Sequence, residues 1–286
     1  MTNVDQFESV FRSAAKSAYS PQPVKLKSVL VVTDFEKPRS VEFSTELRSY
    51  LDFLSHDSDL KWTTIGKGDY SSIGELLDRV ESEKPDLICS YRNLFSDAWR
   101  WPYSLGEYID LLTQVTSVPV LLCPHPESGR GTKSDGPARE SVMALTDHLT
   151  QDARLVDYAV RFAREGGKLV LAHIEDRQAF DRYVDVISRI PALDTETAHD
   201  EILSRLVKEP TDYVASCRAA LEAAKISLRV EEEIGLGHRL SECVRLIEDH
   251  RVELLVVNTK DTDQMAMHGL AYPLAVEFRQ IPMLMI

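Results

Sequence analysis

Apolar and polar positions come in two kinds of block along this chain. Short, continuously apolar runs recur: Val29–Val32, Leu169–Ala172 and Leu254–Val257. Between them, apolar residues return every three or four positions. Continuous runs of this length suit strands covered on both faces, and the longer period suits amphipathic helices. Strands alternating with helices predict a mostly parallel sheet with helices on both faces and right-handed crossovers.

The blocks repeat. "SVLVVTD" begins at Ser28 and "SVMALTD" at Ser141, an offset of 113. "GKGDYSSIGELLDRVESEKPDLICS" and "GLGHRLSECVRLIEDHRVELLVV" match with Gly66 on Gly235, an offset of 169. "SVPVLLC" and "QIPMLMI" match with Pro119 on Pro282, an offset of 163, and Gly106 and Gly269 each lie 13 residues before that proline. The jump from 113 to 169 gives the second copy 56 extra residues, holding "KLVLAHIED" and a helical stretch from Arg177 to Ala224. That is one strand–helix unit. Copy two therefore reads as five strands and copy one as four.

The predicted organisation is an N-terminal helical extension over 1–27, a shortened domain over 28–123, a linker over 124–139 and a five-stranded domain over 140–286. The linker, "PHPESGRGTKSDGPAR", is rich in Gly, Pro and Ser and reads as exposed. In the extension Val4, Phe7, Phe11 and Ala14–Ala15 recur at helical spacing. A helix over 4–16 is the expected cover for the shortened sheet. The apolar last strands of the copies are expected to pair with each other as an internal pseudo-dimer, which leaves room for a further homodimer.

Bulk composition narrows the function classes. The 286 residues exceed what one core usually organises, and 43% are hydrophobic, enough for two. A net charge of −13 repels phosphate backbones, so nucleic acid is not an expected partner. No apolar run reaches the ~18 residues of a membrane span, and the first twenty residues lack a signal-type apolar stretch. A soluble, cytoplasmic protein with no membrane partner is the expectation. Cys89, Cys123, Cys217 and Cys243 form no C-x-x-C pair and read as small buried hydrophobes. No His/Cys/Asp cluster has metal-ligand spacing, and no G-x-S-x-G elbow is present.

On these residues the chain resembles the universal stress protein (UspA) family in its tandem two-domain form. The resemblance rests on "VVTD" and "ALTD" at the first strand ends, on "LAHIED", on the approach to the fourth strand, and on the Gly-to-Pro spacing. It implies doubly wound α/β domains, of the adenine nucleotide alpha hydrolase-like type, with strand order 3-2-1-4-5. It also implies that many members bind ATP through a loop of pattern G-x2-G-x9-G-[S/T]. Glycines there let backbone N–H groups close on phosphate, and the last pair opens a helix whose N-terminus favours negative charge.

This chain departs from that pattern in both copies. In copy two Asn258 and Asp261 stand where the first two glycines belong, Gly269 matches the third, and Leu270 replaces the hydroxyl residue. In copy one Tyr91 and Leu94 replace the first two, Gly106 survives and Glu107 replaces the hydroxyl. Both loops read as remnants. Asp34 and Asp147 end the first strands, at the edge where ligands of such folds gather. Asp34 is read as a helix or turn cap; for Asp147 capping and ligand contact both stay open. His173 reads as a packed residue, His125 as exposed, and His268 as a weak anion contact. Glu231–Glu233 reads as solvated surface.

The expectation is a regulatory or structural partner protein of stress response, not an enzyme, without a cofactor. The alternative is a nucleotide sensor holding ATP or AMP in copy two, through a weak site of Asp147, Asn258, Asp261, Gly269 and Leu270. A hydrolase of α/β type ranks last, since fold alone confers no activity.

Overall fold

A computed structural model describes residues 18–56, 59–128, 139–146, 149, 152–190, 195–259 and 271–286. The expected helix at 4–16 lies outside them, as do Asp147, Asp261, His268, Gly269 and Leu270.

The first half runs β1 (Ser28–Val32), α1 (Lys37–Tyr50), β2 (Lys61–Ile65), α2 (Ile73–Glu83), β3 (Leu87–Tyr91), α3 (Glu107–Val115) and β4 (Val120–Cys123). The second runs β5 (Ser141–Leu145), α4 (Ala153–Phe162), β6 (Lys168–Asp176), α5 (Arg177–Ser188), α6 (Thr195–Ala223), β7 (Arg229–Gly237), α7 (Arg239–Asp249), β8 (Leu254–Val257), α8 (Ala271–Glu277) and β9 (Met283–Met285). Local chemistry sets several of these bounds. Ser72 accepts the Glu75 amide proton while the Glu75 carboxylate takes the Ser71 amide, and α2 ends on Lys84 in the left-handed region. Asp152 and Asp176 cap α4 and α5 by accepting from the amides of Leu155 and Ala179.

Among the described residues the strands form one nine-stranded sheet of order β2-β1-β3-β4-β9-β8-β5-β6-β7. Within the second half the order β7-β6-β5-β8-β9 is the 3-2-1-4-5 arrangement the resemblance implies. The first half lacks one strand–helix unit, so β2 is an outer edge of the sheet. All pairings are parallel except β4–β9, where the halves meet antiparallel with Leu121 opposite Leu284. β1, β3, β4, β5, β8 and β9 are almost wholly buried, as continuous apolar runs require. One continuous core spans both halves. The four cysteines are buried, free thiols within it or beside it.

Polar groups also cross the junction. Arg92, just past β3, is 1% exposed, and its guanidinium donates to the carbonyls of Ala275 (2.7 Å) and Phe278 (3.0 Å) at the end of α8. The negative end of a helix dipole thus receives a buried cation. Burial, then the nearby Arg279, pushes the Arg92 guanidinium down to about 10. Arg279 returns the contact, donating to the carbonyls of Trp99 and Arg100. On another side Phe53 of the first half packs edge-on against Phe162 and under the Arg139 guanidinium, 3.3 Å from the ring centre.

Residues 18–27 strap the halves together. The Tyr19 amide donates to Ser216 Oγ (3.0 Å), and its hydroxyl donates to the buried Asp157 carboxylate (2.6 Å), which also takes the Gln22 amide. Leu26 is buried before the chain enters β1. Two polar residues expected at the surface lie elsewhere. His125, at the head of the expected exposed linker, is 6% exposed because its ring stacks on Trp99, centroids 4.4 Å apart. Arg139, at its far end, is buried against the Phe53 ring. Glu231–Glu233 belong to the edge strand β7, where Glu231 and Glu233 grip the two ring nitrogens of His250 at 3.1 and 2.8 Å.

Asp110 on α3 gives a pH-dependent prediction. Its Oδ1 is buried without a hydrogen-bond partner, and burial pushes its carboxyl up to about 6 from an ordinary 3.8. A raised folded-state value means the fold favours the protonated form. That contribution is full below pH ~4 and lost as pH rises through ~6. Asp110→Asn should therefore stabilise the protein at pH 7. Two units correspond to about 3 kcal/mol, which half-exposure to solvent reduces to about 1–2. Thermal melts of both proteins should differ at pH 7 and coincide at pH 4; a variant less stable at pH 7 refutes this account.

Candidate functional site

In open α/β sheets ligands gather where crossovers diverge, beyond the carboxyl ends of the strands. In the first half that edge lies beyond β1 and β3. Asp34 follows β1, but it does not cap α1, whose N-cap is Glu36. One Asp34 oxygen accepts the Tyr91 hydroxyl and the other accepts the Phe95 amide (2.6 Å), while the Asp34 amide donates back to Tyr91 Oη (3.2 Å). The helix part of the helix-or-turn-cap reading of Asp34 is thus replaced. It anchors the loop after β3, because Tyr91 sits on the neighbouring strand at the same height.

Tyr91 holds this arrangement closed. Its side chain is fully buried, its ring lies 5.1–5.3 Å from those of Phe43 and Phe35, and the His125 ring meets it edge-on at 5.0 Å. Burial, then the Asp34 carboxylate, pushes the phenol far above its ordinary range, so it stays a donor. Burial pushes His125 down to about 4, leaving a neutral ring against Tyr91 and Trp99. Tyr70 adds a further lock by donating to the Thr33 carbonyl (2.8 Å).

The loop itself is folded onto its own backbone. Asn93 adopts φ +60 and donates its amide to the Leu105 carbonyl (2.6 Å). Gly106 follows at φ +88, where a Cβ would stand 2.7 Å from Asn93 Cα. Glycine survives here because the loop closes on itself. Glu107 and Asp110 then fill the first turn of α3 with carboxylates, at the helix end a phosphate would otherwise favour.

In the second half Asn258, just past β8, donates from Nδ2 to the Asp152 carboxylate. That carboxylate caps α4 by accepting the Leu155 amide (3.0 Å). The pair bridges the crevice between β8 and the segment after β5, the switch point of this half. Thr259 adds two bonds from its amide and hydroxyl to the Ile286 carbonyl, each 3.0 Å. His173, near the end of β6, is buried with Nε2 2.9 Å from Glu175 Oε1, a packed residue as read from the sequence. Of the expected weak-site residues Asn258 is described; Asp147, Asp261, Gly269 and Leu270 lie outside the described residues. Among the described residues no group of three His, Cys, Asp or Glu side chains could hold a metal ion, and no helix is long and apolar enough to cross a membrane.

Sequence reading missed Tyr91 as a donor, Asp152 as the partner of Asn258, and Arg92 altogether. Position offered one signal: Asp34 and Tyr91 end adjacent strands.

No protein-family model and no curated protein matches the sequence. Among solved structures, a putative universal stress protein from Pseudomonas aeruginosa UCBPP-PA14 aligns at 12% identity over 91% of this chain and 93% of its own, with a TM-score of 0.48. A universal stress protein from Archaeoglobus fulgidus DSM 4304 aligns at 12% identity over 92% of this chain and 98% of its own, with a TM-score of 0.53. At that identity the likeness concerns the backbone, and the chain has the fold of the Archaeoglobus fulgidus universal stress protein along nearly the whole of both.

Proposed function

We propose that this is a universal-stress-type protein that acts as a regulatory or structural partner of other proteins, without catalysis and without ATP. The observation that carries the reading is the closure of the first-half edge by the protein's own groups. The buried rings of Tyr91 and His125 pack together there, and the Asp34 carboxylate is spent on Tyr91 and the Phe95 backbone amide. A triphosphate needs free backbone donors and little negative charge nearby. Here the loop donors at Asn93 and Phe95 already bond Leu105 and Asp34. In the second half the Asn258–Asp152 bridge supports the same reading.

Isothermal titration with ATP and with AMP, each with magnesium, tests it. No saturable heat is expected at millimolar nucleotide. A dissociation constant below about 100 μM, roughly −5.5 kcal/mol, overturns it. Loss of such heat in Asn258→Ala would place the site in the second half.

A further inference from the structure

The helix α5 is poorly supported by what surrounds it. It has twelve residues, and of its side chains only Phe180 is buried. Tyr183 and Val186 are 65% and 60% exposed, and Ile190 just beyond the helix is 43% exposed. Their i, i+3, i+7 spacing puts all three on one face. So short a helix is marginal in water unless an apolar face is packed. Beside that face lies a cleft of about 270 Å³ between α5 and α6, lined by Phe180, Tyr183 and Ile187 on one side and Ile202 and Leu206 on the other.

We propose that the segment preceding Tyr19 docks its apolar positions, Val4, Phe7 and Phe11, into this cleft and onto the exposed face of α5. Three observations select this occupant over a second copy or another protein. The first is where the described chain starts. Tyr19 is fixed on α6, with its amide on Ser216 and its ring edge-on to Tyr213, centroids 6.3 Å apart.

The second is reach. Ile202, Leu206 and Tyr213 follow one another at helical spacing on a single stripe of α6. At 1.5 Å per residue, Leu206 and Ile202 lie ~10 and ~16 Å along that stripe from Tyr213. Thirteen residues in helical form span ~20 Å, so residues 4–16 are long enough to reach the cleft from the Tyr19 anchor. The third is chemistry. Val4, Phe7, Phe11 and Ala14–Ala15 recur at the spacing of one helix face, and an apolar stripe matches the apolar side chains of this cleft, which Glu175 and Asp176 also border. An intramolecular occupant also meets the cleft at high effective concentration, since only two residues separate residues 4–16 from the Tyr19 anchor.

The full chain carrying a benzophenone amino acid in place of Phe7 tests the proposal. Irradiation at low protein concentration should give an intrachain crosslink to peptides within 177–206. Crosslinks to a second copy, or within the chain to another region, overturn it. A second measurement needs no photochemistry. In full-length Phe7→Ser/Phe11→Ser, amides of α5 should exchange with deuterium at least about tenfold faster, while those of β5 and β8 stay as protected as in the parent chain. Unchanged exchange in α5 refutes the docking. The unchanged strands show that the variant is folded.

Discussion

Leu284→Lys should leave the protein without a folded, soluble state at 25 °C. Leu284 lies in β9, fully buried, directly opposite Leu121 where the halves join. Truncating a buried leucine costs about 2–5 kcal/mol. Forcing an ammonium into the same site adds several more, because neither β4 nor β9 carries a carboxylate to pair it. The total, roughly 5–10 kcal/mol, is of the order of a domain's whole stability. Leu121→Lys should behave alike. The control is Leu284→Met, which conserves volume and should cost less than about 1.5 kcal/mol. Size-exclusion chromatography and circular dichroism decide the matter. A soluble Leu284→Lys protein with the parent melting curve would mean that β4 and β9 do not form the seam.

Arg92→Ala is expected to be the most damaging polar change, at about 3–5 kcal/mol. The guanidinium is the bridge from the loop after β3 to the last carbonyls of α8, and nothing else among the described residues is recorded on those two oxygens. Its removal strands one buried and one part-buried acceptor, at about 1–3 kcal/mol for the buried one and less for the other, and opens a cavity. Arg92→Met should recover part of the loss. It fills the volume and also removes a buried charge whose desolvation the fold now bears, as the depressed guanidinium shows. Urea denaturation should place the midpoints in the order parent, Met, Ala. A parent-like midpoint for Arg92→Ala would mean that the α8 carbonyls do not depend on it.

The sheet was legible because its signals are local. A four-residue apolar run, a proline before the last strand and a glycine 13 residues earlier can each be read without a partner. Comparing their offsets places the missing strand unit in the first half. The edges were less legible because their contacts are distant in sequence. Tyr91 and Asp34 are 57 positions apart, Asn258 and Asp152 are 106 apart, and Arg92 reaches Ala275 across 183. One sequence contains both members of each pair but no mark joining them. His125 shows the same limit. Flanked by prolines and glycine-rich chain, it read as exposed, while Trp99, 26 positions earlier, provides the surface that buries it. Glycine spacing showed where this chain departs from the phosphate-loop pattern that the resemblance implies. It could not show that Tyr91 turns inward to fill the space.

The strand that joins the halves is the last of the nine in chain order, and Leu284 meets Leu121 across 163 positions. Synthesis runs from the other end, and domains tend to fold as they emerge. During most of elongation β4 therefore stands with its edge open, and so does β8 until β9 arrives. Closing so long a loop is slow, and open apolar edges recruit other chains. The first half thus spends the time needed to make the second as a nascent sheet in want of a guard, so a pause or a truncation before Met283 leaves both halves with an open apolar edge. Chaperone demand during synthesis should accordingly fall on β4, a segment that is wholly hidden in the finished protein.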